Sequence, residues 1–189
     1  YTGSELNALV KDPKSVSLRI ALAFPDLYSI GMSYTGFKIL YGLINQQKDL
    51  AAERVFSPAA DMEAMMREHG IPLYTLESKT PVAEFDIVGI TLQHELCLTN
   101  ILTLLDLAEI PIRSCDRKEH HPLVLGGGPL ALNPEPVADF FDAFLVGDAE
   151  EALPEFCNTV KTAESRKGAL SEAARTIAGI YVPGFYTAN

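Results

Sequence analysis

Gly126-Gly127-Gly128-Pro129 is the most chemically telling run in this sequence. It closes the apolar stretch Pro122-Leu-Val-Leu125 and removes every side chain where a backbone could meet a bulky, flat or elongated ligand. It is not a phosphate loop. The lysine and hydroxyl of G-x-x-x-x-G-K-[ST] are missing and no G-x-G-x-x-G opens a helix, so ATP and dinucleotide chemistry lose their main support. In purely structural terms the same residues make a tight strand exit.

Three more segments place polar groups after apolar runs. Asp26, Tyr28, Ser29, Gly31, Met32 and Ser33 follow the first run, where Asp26 and Ser29 can equally satisfy loose turn amides. Thr91, Leu92, Gln93 and His94 follow another, with a hydroxyl and an amide suited to neutral polar ligand groups. His94 taken alone is more typical of a solvated turn than of a metal ligand. Gly147, Asp148 and Glu150 follow a third. Spacing does not pair the carboxylates Asp26, Asp148, Glu150 and Glu151 for acid–base work. His120-His121 precedes a strand and so sits at its amino end, away from these loops. A Cys/His nucleophile pair, a G-x-S-x-G elbow and an H-E-x-x-H helix are not read here, nor is a metal site.

The elements that must position these loops are legible in the apolar pattern. Leu18 to Phe24 reads as a strand apolar on both faces, closed by Pro25-Asp26. Ser33 reads as the cap of a helix carrying Tyr34, Phe37, Leu40, Tyr41 and Ile44. Glu53 to Phe56 is a weak second strand, and Ser57-Pro58 begins a helix with Met62, Met65 and Met66 as core filler and Gly70 as its stop. Pro72 to Ser78 fits either a connecting strand or an irregular arm. Phe85 to Leu92 is a central strand, followed by a helix with Leu98, Ile101, Leu102 and Leu105 inward. Pro122 to Leu125 and Ala143 to Val146 are two more strands. The helix after Asp148 buries Leu153, Phe156, Cys157 and Val160, with Glu150 and Glu151 in its first turn, where the helix dipole favours acids. A last helix spans about Ala169 to Ala178, before Ile180-Tyr-Val-Pro183. This alternation predicts an α/β fold, a doubly wound, five-stranded, mainly parallel sheet flanked by helices, in which ligands bind beyond the carboxyl ends of the strands.

Composition narrows the classes. The 189 residues carry 15 Lys plus Arg against 25 Asp plus Glu, a formal charge of −10, with no basic stripe for neutralising phosphates, so direct nucleic-acid binding is not expected. Cys97, Cys115 and Cys157 form no C-x-x-C pair, which points to a reducing cytoplasm and no disulfide framework. No apolar stretch is long enough for a bilayer and no signal-peptide pattern opens the chain, so no membrane partner is expected. The start at Tyr1 fits a piece of a larger protein.

Taken together, Asp26-x-Tyr28-x-x-Gly31, the strand end Val-Gly-Ile-Thr91-Leu92, Gly-Gly-Gly-Pro129 and Val-Gly-Asp-Ala-Glu-Glu151 resemble the amino-terminal cobalamin-binding domain of B12-binding radical SAM proteins. Arg54 to Glu68, Thr91-Leu-Gln-His-Glu95, Asn133-Pro-Glu-Pro136 and Asp139-Phe-Phe-Asp142 look like an uncharacterised Fe-S oxidoreductase branch. The resemblance implies a Rossmann-like domain over 18–165, preceded by an arm over 1–17. It is followed at 166–189 by a helix and the start of a linker to a downstream radical SAM domain.

That downstream domain would bind a [4Fe-4S] cluster and S-adenosylmethionine; its C-x-x-x-C-x-x-C motif is absent here, so catalysis by this segment alone is not expected. The corrin would lie over the carboxyl edge of the sheet, bordered by Ser29, Met32 and Ser33, with Thr91 and Gln93 bonding its amides. Gly126, Gly127, Gly128 and Pro129 would sit against its tail, and Gly147 and Asp148 would close the last side. Where related domains carry a cobalt-ligating histidine, this chain has Tyr28, and a phenol is a poor substitute for imidazole. The expectation is therefore base-off, His-off cobalamin, with His94 as the alternative ligand. Two other functions fit the same fold: a docking domain that has lost the cofactor, and a flavodoxin-like small-molecule binder.

Overall fold

A computed structural model describes residues 5–6 and 8–186. Six strands form one sheet: β1 (Leu18–Phe24), β2 (Leu50–Phe56), β3 (Ile87–Thr91), β4 (Leu123–Gly127), β5 (Ala143–Leu145) and β6 (Ile180–Tyr181), in the order β2-β1-β3-β4-β5-β6. The first five pair in parallel, in registers such as Ala23↔Ile90 and Thr91↔Gly127. Their carboxyl ends therefore emerge on one edge. β6 is a sixth, antiparallel strand on β5, beyond the five expected. Gly179, at φ +83°, turns the chain back so that its carbonyl accepts Val146 N–H at 2.8 Å.

The helices are α1 (Tyr28–Gly31), α2 (Thr35–Gln46), α3 (Ala60–His69), α4 (Leu98–Leu107), α5 (Ala149–Thr162) and α6 (Arg166–Thr176). Because β1, β3 and β4 are apolar on both faces, the sheet needs cover on both sides. On one face Phe37 and Ile44 of α2, Leu153 and Phe156 of α5 and Ala173 of α6 pack over Leu22, Leu125 and Leu145. On the other, Met66 of α3 and Ile101, Leu104 and Leu105 of α4 pack over Ala23, Ile90 and Val124. Residues 166–186 thus contribute a helix and a strand to the same layered fold.

Four local expectations change, the first being that Met65 is 57% exposed while Met66 is buried and Met62 partly so, leaving only two of the three methionines as core filler. Ser33 does not cap α2: its hydroxyl donates to the Ile30 carbonyl at 2.7 Å, closing α1, and Tyr34 stands at the cap without a side-chain bond. The third helix starts at Ala60 after Ala59, not at Pro58, while Gly70 ends it at φ +61° as the pattern predicts. The strand seen weakly as Glu53 to Phe56 begins at Leu50 and is buried along its whole length.

Burial of Glu53 and Arg54 comes from the segment left open in the sequence, which runs along the outer edge of β2. Leu76 N–H donates to the Arg54 carbonyl at 2.7 Å, and Glu77 accepts Arg54 Nε at 2.6 Å and Arg54 N–H at 2.7 Å. Glu53 in turn accepts the hydroxyls of Thr75 and Ser78. An edge strand is thereby paired and its charges neutralised. Burial pushes the Glu77 carboxyl up, against the pull of Arg54. Among the described residues no helix is long and apolar enough to cross a membrane.

Candidate functional site

The loops after β3, β4 and β5 surround a groove of about 380 Å³ that runs down between the sheet and helices α2 and α5. Its floor is apolar, built from Leu22, Leu125 and Leu145 of the sheet and Phe37, Leu40 and Leu153 of the helices. Its rim is polar or bare: Thr91, Gln93, Gly127, Gly128, Pro129, Gly147, Asp148 and Glu150. These eight are the expected site residues that the fold brings together. An apolar trough with a few convergent polar groups is the usual shape of a small-molecule site.

The glycine run divides into three roles. Side chains alternate along β4, so Leu125 and Gly127 face the groove while Gly126 faces the opposite layer. A Cβ at Gly126 would lie 2.7 Å from the Phe144 ring, so this glycine serves packing. Gly128 has φ +109° and a Cβ there would lie 2.8 Å from the Leu92 carbonyl oxygen, so it serves the turn. At Gly127 the nearest atom to an added Cβ is the Leu145 carbonyl oxygen at 3.9 Å, leaving space open for a ligand. Gly147, at φ +114° with nothing within 4 Å, holds the far rim equally bare.

The remaining expected residues lie elsewhere. Leu92 is buried in the core and acts through its backbone, donating to the Gly127 carbonyl at 2.6 Å and accepting Leu130 N–H at 3.2 Å. Gly31 is buried against Phe56, whose ring would be 2.6 Å from an added Cβ, so it permits helix packing instead of ligand approach. Met32 is partly buried, and its sulfur accepts Arg54 Nη1 at 3.5 Å. Ser33 is spent on α1.

Tyr28 and Ser29 line a second cavity, of about 410 Å³, between α1, the end of β2 and α3. Its lining is mostly apolar, with Phe56, Met62, Met66 and Leu73. The Tyr28 ring stands edge-on to Phe56, centroids 5.4 Å apart at 76°. Burial and the nearby Glu5 carboxyl push the Tyr28 hydroxyl above its ordinary range, so it is a neutral phenol.

Asp26 and His94 line neither the groove nor the larger cavity. They meet Cys97, one of the three cysteines that form no C-x-x-C pair. His94 Nε2 and Nδ1 lie 3.3 and 3.4 Å from Cys97 Sγ, and one ligand atom from each of the three residues falls within 4.8 Å of the others. The structure thus brings together a cysteine and a histidine that the sequence reading does not join. Their sequence signal is His94-x-x-Cys97 entering the 3₁₀ turn Glu95–Cys97, because residues three apart eclipse on such a turn. Cys97 is 1% exposed, and burial followed by the Asp26 charge raises its thiol, which is unlike an activated nucleophile.

Residues 36–183, more than three quarters of the chain, match the family described as radical SAM proteins, N-terminal. The chain belongs to that family. Over 132 residues it is 24% identical to an uncharacterized protein of Methanocaldococcus jannaschii, an overlap that covers 69% of this chain and 24% of that protein. The radical SAM N-terminal chain thus spans about a quarter of the length of the curated relative it matches.

A radical SAM protein holds an iron–sulfur cluster and S-adenosylmethionine. The cysteines of this N-terminal chain do not fit the cluster: Cys97 and Cys157 are buried, Cys115 is exposed, and no two are within three or four residues of each other. Cluster chemistry therefore has no ligands here.

Proposed function

We propose that this chain is the cobalamin-binding module of a radical SAM iron–sulfur protein, with the groove between the sheet and α2/α5 taking the cofactor's elongated tail. The observation that carries the reading is Gly127, the one glycine of its run whose missing side chain leaves open space on the groove side. The apolar floor suits a flat heterocyclic base, and Thr91, Gln93 and the backbone at Gly128 and Gly147 suit amide and sugar groups at the rim. When bound, cobalamin supplies the cobalt centre used for methyl transfer or radical rearrangement. The cluster and S-adenosylmethionine belong to a downstream domain of the same polypeptide, and that domain is the partner this module serves.

Among the described residues, none of those lining the groove is a histidine that would ligate cobalt. Tyr28 is a neutral phenol turned into the neighbouring cavity, and His94 is engaged with Cys97. Base-off, His-off binding follows from that reading.

The test is a visible spectrum after incubation with hydroxocobalamin and desalting, on this chain and on a longer polypeptide through the downstream domain. Retained corrin bands without a histidine–cobalt signature support the proposal. Gly127→Val, whose Cβ has room, is expected to fold and to lower corrin retention by filling the groove, with unchanged retention in the folded variant removing this loop from the site. Loss of corrin by both wild-type polypeptides overturns the proposal and favours a cofactor-free docking domain; flavin bands favour a flavodoxin-like binder.

A further inference from the structure

We propose that Asp26, His94 and Cys97 form a binding site for a zinc-class divalent transition ion, separate from the groove. Asp26 follows β1, whereas His94 and Cys97 follow β3. β1 and β3 pair in parallel up to Ala23↔Ile90, so the sheet delivers both loops to the same point on its carboxyl edge. The His94-x-x-Cys97 turn, closed by Cys97 N–H on the His94 carbonyl at 3.1 Å, brings the imidazole to the thiol.

The spacing suits a tetrahedral ion. With metal–sulfur and metal–nitrogen bonds of about 2.3 and 2.0 Å, sulfur and nitrogen ligands stand about 3.5 Å apart. The thiol and imidazole are already 3.3–3.4 Å apart, and an Asp26 carboxylate oxygen lies within 4.8 Å of both. One sulfur, one nitrogen and one oxygen make a borderline-soft donor set, which discriminates against magnesium and calcium.

The scaffold is fixed before any ion arrives. Asn100 of α4 donates its side-chain amide to the Pro25 carbonyl at 2.9 Å, and Ser57 N–H donates to the Asp26 carbonyl at 3.0 Å. Leu27 N–H bonds one Asp26 carboxylate oxygen at 2.7 Å, leaving the other for the ion. Cys97 is buried while His94 is exposed, so a fourth position opens toward solvent on the imidazole side. Three protein ligands with an open position are the pattern of a reactive or shared site; a closed structural site has four. The open position would take water or a group from a partner domain. None of the three residues lines the groove, so this site stands or falls independently of cobalamin.

The experiment uses the cobalamin-free chain, stripped with chelator and titrated with Co²⁺, followed by Zn²⁺. The expected result is one Co²⁺ per chain with tetrahedral visible bands and near-ultraviolet sulfur-to-cobalt charge transfer, both displaced by Zn²⁺. Cys97→Ser abolishes the charge-transfer band and Cys115→Ser leaves it. Asp26→Asn and His94→Gln each weaken affinity by more than about tenfold, the least that even an outer-shell loss costs at such sites. No saturable Co²⁺ spectrum, a band that survives Cys97→Ser, or unchanged affinity in His94→Gln overturns the proposal. His94 is exposed, so that variant decides the matter even if Cys97→Ser fails to fold.

Discussion

Asn100 reaches across 75 positions of sequence to donate its side-chain amide to the Pro25 carbonyl at 2.9 Å, locking α4 to the end of β1. Pro25 is buried, so without Asn100 its carbonyl loses its partner where water reaches poorly. Asn100→Ala is expected to cost about 1–2 kcal/mol, read as a lower urea midpoint at unchanged slope. An unchanged midpoint would show that water replaces the amide without penalty.

Asp142 gathers the opposite end of the sheet. Its carboxylate accepts Arg117 Nη1 at 2.9 Å and Val124 N–H at 2.7 Å and pairs with Arg166 Nη2 at 2.5 Å, tying the loop before β4, β4 itself and α6 to the start of β5. Arg117 is buried as well; burial pushes its guanidinium down and Asp142 pulls it back up. Removing one partner leaves a buried charge uncompensated, so Asp142→Ala should lose about 3–5 kcal/mol by chemical denaturation. A loss under about 1 kcal/mol would mean that Arg117 is solvated in the variant and that the cluster contributes little.

The three thiols should separate by reactivity. Thiolate is the nucleophile, and burial favours the neutral thiol. Burial raises Cys97 and pushes Cys157 up to about 12, whereas Cys115 is exposed. With Ellman's reagent at about pH 8, Cys115 should react fast and the other two only after denaturant. Raising the pH to about 10 should not recruit Cys157, since its thiolate forms only near its raised pKa. Three fast thiols in the native chain would contradict the packing of α5 on the sheet.

Local sequence reached the parallel α/β plan because β1, β3 and β4 are short runs apolar on both faces and α2, α4 and α5 are apolar at helical spacing. It was less informative about β2 and β6. Glu53 and Arg54 look like surface residues until Thr75, Glu77 and Ser78 arrive from a segment more than twenty positions away to neutralise them. β6 is two residues long, too short for any periodic signal.

By itself, the sequence determined the layered fold, the placing of the polar and glycine-rich loops at the carboxyl ends of the strands, and the glycine run that closes β4. Those are properties of apolar period and missing side chains, which short segments carry alone. Only the tertiary structure decided which loop residues share a site. Thr91, Gln93 and Asp148 converge on one groove, Tyr28 turns toward Phe56 and a different cavity, and Asp26 meets His94 and Cys97. The reason is strand order. β1 lies between β2 and β3, so residues from its loop can fall toward either neighbour, and side-chain packing settles the direction residue by residue.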